Sequence, residues 1–304
     1  ERPRGRALRR SATEISMKKA IFLYNRKSGR GRAAAPAEEI CRIFGEHGYR
    51  MEAVAIDFAV NPFDGREEID LLVAAGGDGT VNFVVNSMKA KGLDVRIGVI
   101  PMGTANDFAG ALGMAHDPLT AARQIAAGRV ERVDCGLANG RYFVNVFSFG
   151  IFTTTSQHTP DTRKHRVGKM AYLIEGLREL RSIHGVPLRI EADGDRYTCN
   201  ALMTLIFNGE TAGGFRLARA ASVRDGIFEC LMLEKRGWFT TAFGMVRYAL
   251  GGRPRCVRHL RARRFEIVSP IDEPTDVDGQ PGPHFPLRVE CLRGELRIVC
   301  PRSV

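Results

Sequence analysis

The chain contains no Cys-x-x-Cys pair, and its seven cysteines are spread from Cys41 to Cys300. An odd, dispersed set excludes both a disulfide framework and a structural zinc site, and reads as reduced, mostly buried thiols. No run of about 18 consecutive apolar residues occurs, so no membrane-spanning helix is expected. The nearest approach, 142–159, carries no formal charge but is crowded with Asn, Ser, Thr, Gln and His. The seven histidines are scattered at spacings that suggest neither a metal cluster nor a nucleophilic dyad. Residues 1–16 hold Arg2, Arg4, Arg6, Arg9 and Arg10 but no apolar core, so they read as a flexible basic arm ahead of Met17 and not as a secretion signal.

What is present is length and positive charge. At 304 residues and 44% hydrophobic content, the chain has room for two domains and a sizeable core. A formal net charge of +11, supplied largely by arginine, calls for a partner carrying phosphate: a nucleotide, a nucleic acid or an anionic membrane surface. No recognised nucleic-acid motif accompanies the charge, so nucleic acid is not expected.

The apolar run Leu71-Leu72-Val73-Ala74-Ala75 leads into Gly76-Gly77-Asp78-Gly79-Thr80-Val81-Asn82, and Val81, Val84, Val85 and Met88 follow at helical spacing. Strand, glycine turn and helix in that order aim free N–H groups and a positive dipole end at the turn, which suits phosphate. A tight connection with glycines kept for geometry is the plainer alternative. Asp78 argues for chemistry as well, because a carboxylate beside phosphate-binding amides repels phosphate unless a metal, proton or hydroxyl compensates. Lys18 to Asn25 reads as a buried parallel strand ending in a basic loop with Ser28 and Gly29. A helix from about Pro36 to Gly48, a second strand Arg50 to Ile56, and a fourth strand Val95 to Ile100 follow. That last strand enters the loop Pro101-Met102-Gly103-Thr104-Ala105-Asn106-Asp107-Phe108. Three such loops at strand carboxyl ends should converge on one crevice. There Thr80 and Thr104 offer hydroxyls, and Asn106 or Asp107 either caps the next helix or orients a metal-bound water.

Beyond 130–137 the pattern alternates. Strand-like runs begin with Tyr142 to Phe147 and turn at Asp193-Gly194 and at Arg293-Gly294, which are hairpin signals. A mostly antiparallel second domain is expected, interrupted by helices over 168–182 and 237–250. Arg247, Arg253, Arg255, Arg258, Arg261, Arg263 and Arg264 follow aromatic residues of the second helix, and 163–169 holds a further basic patch. Both suit an anionic bilayer, or else an ordinary solvated face.

The ordered set Gly76-Gly77-Asp78-Gly79-Thr80-Val81-Asn82, Pro101 to Ala109, Asn208-Gly209, Gly213-Gly214, Asp225-Gly226 and Asp278-Gly279 resembles the diacylglycerol kinase catalytic domain family, closest to the soluble bacterial lipid kinases. The resemblance implies an open parallel α/β nucleotide-binding domain with a β-sandwich domain, the active site lying between them. Residues 17–138 would form the ATP-binding unit and 139–304 a β-rich lipid-substrate unit, with the chain free to return to the first unit at its end. It implies ATP binding by Asn25, Ser28, Gly29, Gly76, Gly77, Asp78, Gly79, Thr80, Asn82, Gly103, Thr104, Asn106 and Asp107. It also implies a magnesium site at Asp225 with carbonyls near Ser222 and Ile227, apart from the Mg2+ that travels with ATP. Arg26 replaces a family proline. Gln280 replaces a glutamate taken as the proton acceptor, leaving Asp78, Asp276 or Asp278 as substitutes. The expectation is an ATP- and Mg2+-dependent lipid kinase, cytoplasmic and peripheral to the membrane, a homodimer being possible. A catalytically weakened binding protein and an NAD kinase-like enzyme are the alternatives.

Overall fold

The structure, a computed structural model, describes residues 17–26, 36–66, 68–151, 185–249 and 251–302. The arm over 1–16, Ser28 and Gly29, the helix expected over 168–182 and the basic patch over 163–169 lie outside the described residues.

The first unit is built on strands β1 (Lys18–Tyr24), β2 (Tyr49–Ala55), β3 (Leu71–Gly76) and β4 (Arg96–Pro101), paired in parallel in the order β4-β3-β1-β2. All six residues of β3 are buried, as are Ala20 to Leu23 of β1, which is why these strands are continuous apolar runs and do not alternate. Helix α1 (Ala37–Glu46) lays Ile40, Ile43 and Phe44 into this core; helix α2 (Asp78–Ala90) adds Val81, Val84, Val85 and Met88. Short α3 (Asp107–Ala111) and α4 (Pro118–Ala126) complete the layer. Strand order reverses between β1 and β3, and the crevice at that reversal is where such sheets hold ligands.

The second unit is antiparallel. It comprises β5 (Arg129–Ala138), β6 (Arg141–Phe143), β7 (Val146–Gly150), β8 (Val186–Ala192), β9 (Asp195–Phe207), the small hairpin β10 (Thr211–Ala212) and β11 (Phe215–Arg216), and β12 (Phe228–Glu234). After helix α5 (Trp238–Ala249) come β13 (Val257–Ala262), β14 (Arg264–Val268), β15 (Thr275–Val277), β16 (Gln280–Pro281) and β17 (Leu287–Cys300). Their inward residues, among them Phe143, Phe147, Phe228, Phe265 and Val289, form one core. Asp193 and Gly194 both take positive φ, 49° and 99°, so the predicted hairpin between β8 and β9 closes as a two-residue turn.

Two expectations are corrected. Arg293-Gly294 makes no hairpin: β17 continues through it, with a register shift against β5 between Leu292 and Leu296. The Gly294 N–H leaves the ladder and donates to Asp134 Oδ1 at 2.7 Å, so the glycine serves a bulge and not a chain reversal. The strand expected over 142–147 is likewise broken in two at Val144 and Asn145, whose amides are drawn to a carboxylate described below. Because β17 runs on, it pairs antiparallel with β14 and β5 and parallel with β4 at Arg297 and Ile298. The carboxyl-terminal strand thus joins both units into one sheet, and the Lys89–Glu295 ion pair (2.5 Å) ties α2 to it.

At Gly136 in β5, a Cβ would overlap the Phe143 ring, which itself stacks on Phe228 at 5.2 Å. Gly136→Ala is expected to destabilise the protein by about 1–3 kcal/mol through overpacking, read as a lowered urea midpoint with an unchanged m-value.

Candidate active site

Three loops meet at the crevice, held together by backbone contact and by buried carboxylates. The loop after β3 and the loop after β4 touch main chain to main chain. A Cβ on Gly77 would stand 3.2 Å from the Gly103 Cα, and one on Gly103 would overlap Gly77 and lie 2.8 Å from Asn106 Oδ1. Glycine is required at both positions by the close approach. Asn106, at φ 53°, folds its side chain back on its own loop, accepting from the Gly103 N–H (2.7 Å) and donating to the Gly103 carbonyl (3.0 Å).

Asp78 is the first residue of α2, and both its oxygens are engaged. They accept the N–H groups of Asp107 (3.1 Å) and Phe108 (2.9 Å), so the carboxylate caps α3 and locks the second loop onto the first. Burial pushes its pKa up; the amide donors oppose that and the nearby Asp107 charge adds to it. Asp107, itself buried, accepts the Gly214 N–H at 3.0 Å and so links α3 to the β10–β11 hairpin of the second unit. Asn25, at the end of β1, donates to Thr80 Oγ1 at 3.3 Å, bringing the β1 loop against the first turn of α2. Thr104 is exposed and lines an open cleft of about 510 Å³ together with Pro36, Met102, Gly103, Asn106 and His116.

From the second unit comes the β15–β16 hairpin. Asp278, in the left-handed region at φ 50°, accepts the N–H groups of Val144 (2.6 Å), Asn145 (2.9 Å) and Val146 (2.8 Å) and the Asn82 side-chain amide (2.9 Å). Burial pushes its carboxyl up to about 7 against the pull of these donors. Asn82 also donates to the Tyr142 carbonyl at 2.8 Å, so it acts as a buried tie between α2 and the second unit. Gln280 is exposed at the hairpin end. Its amide nitrogen lies 3.1 Å from the point where a Cβ on Gly79 would stand, directly over the first turn of α2. Asp276 accepts the Gly279 N–H at 2.7 Å.

One buried group, Asp134, was missed from sequence, and another, Asn208, was named only as part of the family-like set. Asp134 in β5 accepts from Gly226 (2.6 Å) and Gly294 (2.7 Å), and Asn208 donates to the carbonyls of Asp134 (3.0 Å) and Val144 (2.8 Å). Asp134 sits between Val133 and Cys135, and a charge within an apolar strand was the available signal.

The chain is similar to known proteins along nearly its whole length. A family described as "Diacylglycerol kinase catalytic domain" matches residues 19–138, and one described as "YegS C-terminal NAD kinase beta sandwich-like domain" matches residues 145–300. A diacylglycerol kinase of Bacillus subtilis (strain 168) is 31% identical over 94% of this chain and 98% of its own length. One of Staphylococcus aureus (strain JH9) is 35% identical over 78% of this chain and 76% of its own. The chain belongs to the diacylglycerol kinase family. Two solved structures of diacylglycerol kinases from Bacillus anthracis str. Sterne share its fold, with TM-scores of 0.78 and 0.71 at 23% and 22% identity. They cover 95% and 93% of this chain, and it covers 97% of each.

As a lipid kinase of this family, the chain departs from expectation at the site implied for magnesium. Asp225 Oδ1 accepts the Ile227 N–H (3.1 Å) and Oδ2 accepts from Arg261 Nη2 (3.0 Å), while the Ser222 hydroxyl accepts the Arg224 N–H at 3.3 Å. Each oxygen of the one carboxylate in that donor set already accepts a hydrogen bond, and the Arg261 cation stands where a metal ion would be repelled. No group of three or more His, Cys, Asp or Glu able to hold a metal occurs among the described residues. As arranged, Asp225, Ser222 and Ile227 do not fit a resident magnesium ion.

The stacked loops give a direct test. Gly103→Ala should force the two loops apart and lower phosphoryl transfer on the order of 10²-fold, with the far-UV circular dichroism spectrum unchanged.

Proposed function

We propose that this diacylglycerol kinase family member transfers the γ-phosphate of ATP, bound with Mg2+ as a substrate, to the hydroxyl of diacylglycerol or a related lipid alcohol. The observation that carries the reading is the meeting of the Gly76–Thr80 turn, the Gly103–Asp107 loop and the Gln280 hairpin at the first turn of α2. The N-terminus of α2 favours phosphate by its amides and dipole. Thr80, steadied by Asn25, and Thr104 at the cleft border that locus. Asp78 serves as the brace that holds the loops in register, because its oxygens are committed to α3.

The acceptor oxygen attacks the γ-phosphorus, the bond to ADP breaks, and the hydroxyl proton leaves to solvent or to a phosphate oxygen. A carboxamide at Gln280 cannot take that proton near neutral pH. A loose phosphoryl-transfer transition state asks little of a base, so the reaction proceeds at a reduced rate, chiefly by positioning and charge stabilisation. A second reading, a binding protein that retains the fold without turnover, is favoured by Gln280 alone.

Contact with the lipid calls for a docking face, and α5 supplies it. Thr241 and Gly244 face inward, Gly244 against Cys256, while Phe239, Phe243 and Val246 are 80%, 71% and 44% exposed. The stretch 235–255 has no Asp or Glu and holds Lys235, Arg236, Arg247, Arg253 and Arg255. Apolar side chains within a basic frame suit the interface of an anionic bilayer.

Transfer of labelled γ-phosphate from Mg-ATP to lipid alcohols in mixed micelles tests the activity. Wild type is expected to label diacylglycerol, with Gln280→Glu faster on the order of 10²-fold and Asp78→Asn slower on the order of tenfold or more, since one α3 amide loses its acceptor. A silent wild type with an active Gln280→Glu variant would establish the binding-protein reading. Separately, Phe243→Glu should abolish sedimentation with anionic vesicles while leaving transfer to a short-chain, water-soluble diacylglycerol unchanged.

A further inference from the structure

The turn ahead of β12, beside the end of β13, is the place at which the family resemblance implies a structural divalent cation, and it is met by a side chain instead. Arg261 stands directly opposite Glu229 in the antiparallel register of β13 on β12. From there its guanidinium reaches back to the turn ahead of β12, with Nη2 3.0 Å from Asp225 Oδ2 and Nε 3.5 Å from Glu229 Oε1. Glu229 is nearly buried and Asp225 partly so. The fully buried Asp134 lies close enough for the Asp225 charge to help raise its pKa, after burial itself, and both Asp134 oxygens are held by the amides of Gly226 and Gly294. Three carboxylates therefore gather around one turn that joins β5, β12 and β17. A positive charge is needed there, because carboxylates in a half-buried setting repel one another and lose solvation.

We propose that the Arg261 guanidinium takes the place of the structural cation in this chain, so that the Asp225 turn is organised without a resident metal. The geometry suits the substitution. A planar guanidinium offers several fixed donors and bridges two carboxylates at once, whereas Mg2+ in such a site would bind through one or two carboxylates, with water filling the rest of its shell. Three neighbouring arginines are engaged elsewhere, Arg258 Nε on Glu234 (2.6 Å), Arg264 on Glu290 (3.3 Å) and Arg224 on Glu131 (2.8 Å), while Arg293 lays its stem against Gly226 and its charge acts on Asp134, leaving Arg261 as the one ion-paired to Asp225 among the described residues. Arg261 acts here on the fold of the second unit, apart from the Mg2+ that accompanies ATP as a substrate.

Thermal unfolding of the whole protein, stripped with EDTA and free of nucleotide, tests it, with MgCl2 compared against NaCl at matched ionic strength. Wild type is expected to unfold at the same temperature in both. Arg261→Met should unfold about 2–4 °C lower in EDTA and recover in MgCl2, because Asp225 and Glu229 then stand open to the ion. The Asp225→Asn, Arg261→Met double variant should show no recovery. Arg261→Lys, which keeps a charge, should stay nearer wild type and show no magnesium response. A wild-type midpoint that rises with MgCl2 and loses the rise in Asp225→Asn would overturn the proposal, because the turn would then hold a metal in spite of Arg261. An Arg261→Met midpoint equal to wild type, or one lowered equally in both salts, would overturn it too.

Discussion

Buried carboxylates accepting backbone amides are the constraint on which the rest of this structure depends. Asp78 holds the amides of Asp107 and Phe108, Asp107 holds that of Gly214, Asp278 holds three successive amides at Val144 to Val146, and Asp134 holds those of Gly226 and Gly294. Each stands where one segment crosses another; Asp107 joins the first unit to the second, and Asp278 does so through the Asn82 side-chain amide. A buried N–H without an acceptor costs about 1–3 kcal/mol, and charged acceptors make the stronger bonds. The joints are therefore fixed in direction as well as in contact, which packing alone would not ensure.

That fixation is what a phosphoryl-transfer site requires. Phosphoryl transfer is accelerated chiefly by placing donors at defined points, so a loop displaced by an ångström is costly. The glycine loops touch main chain to main chain, and any side chain there would part them. Both units take part in the arrangement: α2 contributes its first turn and the β15–β16 hairpin contributes Gln280 above it. The β17 strand, paired with strands of both units in one sheet, keeps those contributions in one frame.

The arginine-rich segment divides by tertiary position. Arg258, Arg261 and Arg264 lie on β13 and β14 and form ion pairs with Glu234, with Asp225 and Glu229, and with Glu290. Arg247, Arg253 and Arg255 are exposed on and after α5 beside its apolar side chains. A single basic run in the sequence thus supplies internal strand pairing at one end and an exposed basic face beside apolar side chains at the other. Charge density along the chain cannot separate the two, since the pairing partners lie dozens of residues away.

By itself the sequence determined the class of fold, the order of the elements in the first unit, the convergence of the glycine loops and the family. These follow from local signals, namely continuous apolar strands, helical spacing after Gly79, and glycines at tight turns. Only the tertiary structure decided what the polar residues do. Asp78 and Asn82 read as ligand-facing positions, and both hold backbone or neighbouring side chains; Arg293-Gly294 reads as a hairpin and is a bulge because Asp134, some 160 positions away, takes its amide. Asp225 reads as a metal ligand and is met by Arg261 through the register of β12 on β13. A carboxylate's role depends on which donors surround it in space, and those donors come from segments whose proximity no local pattern encodes.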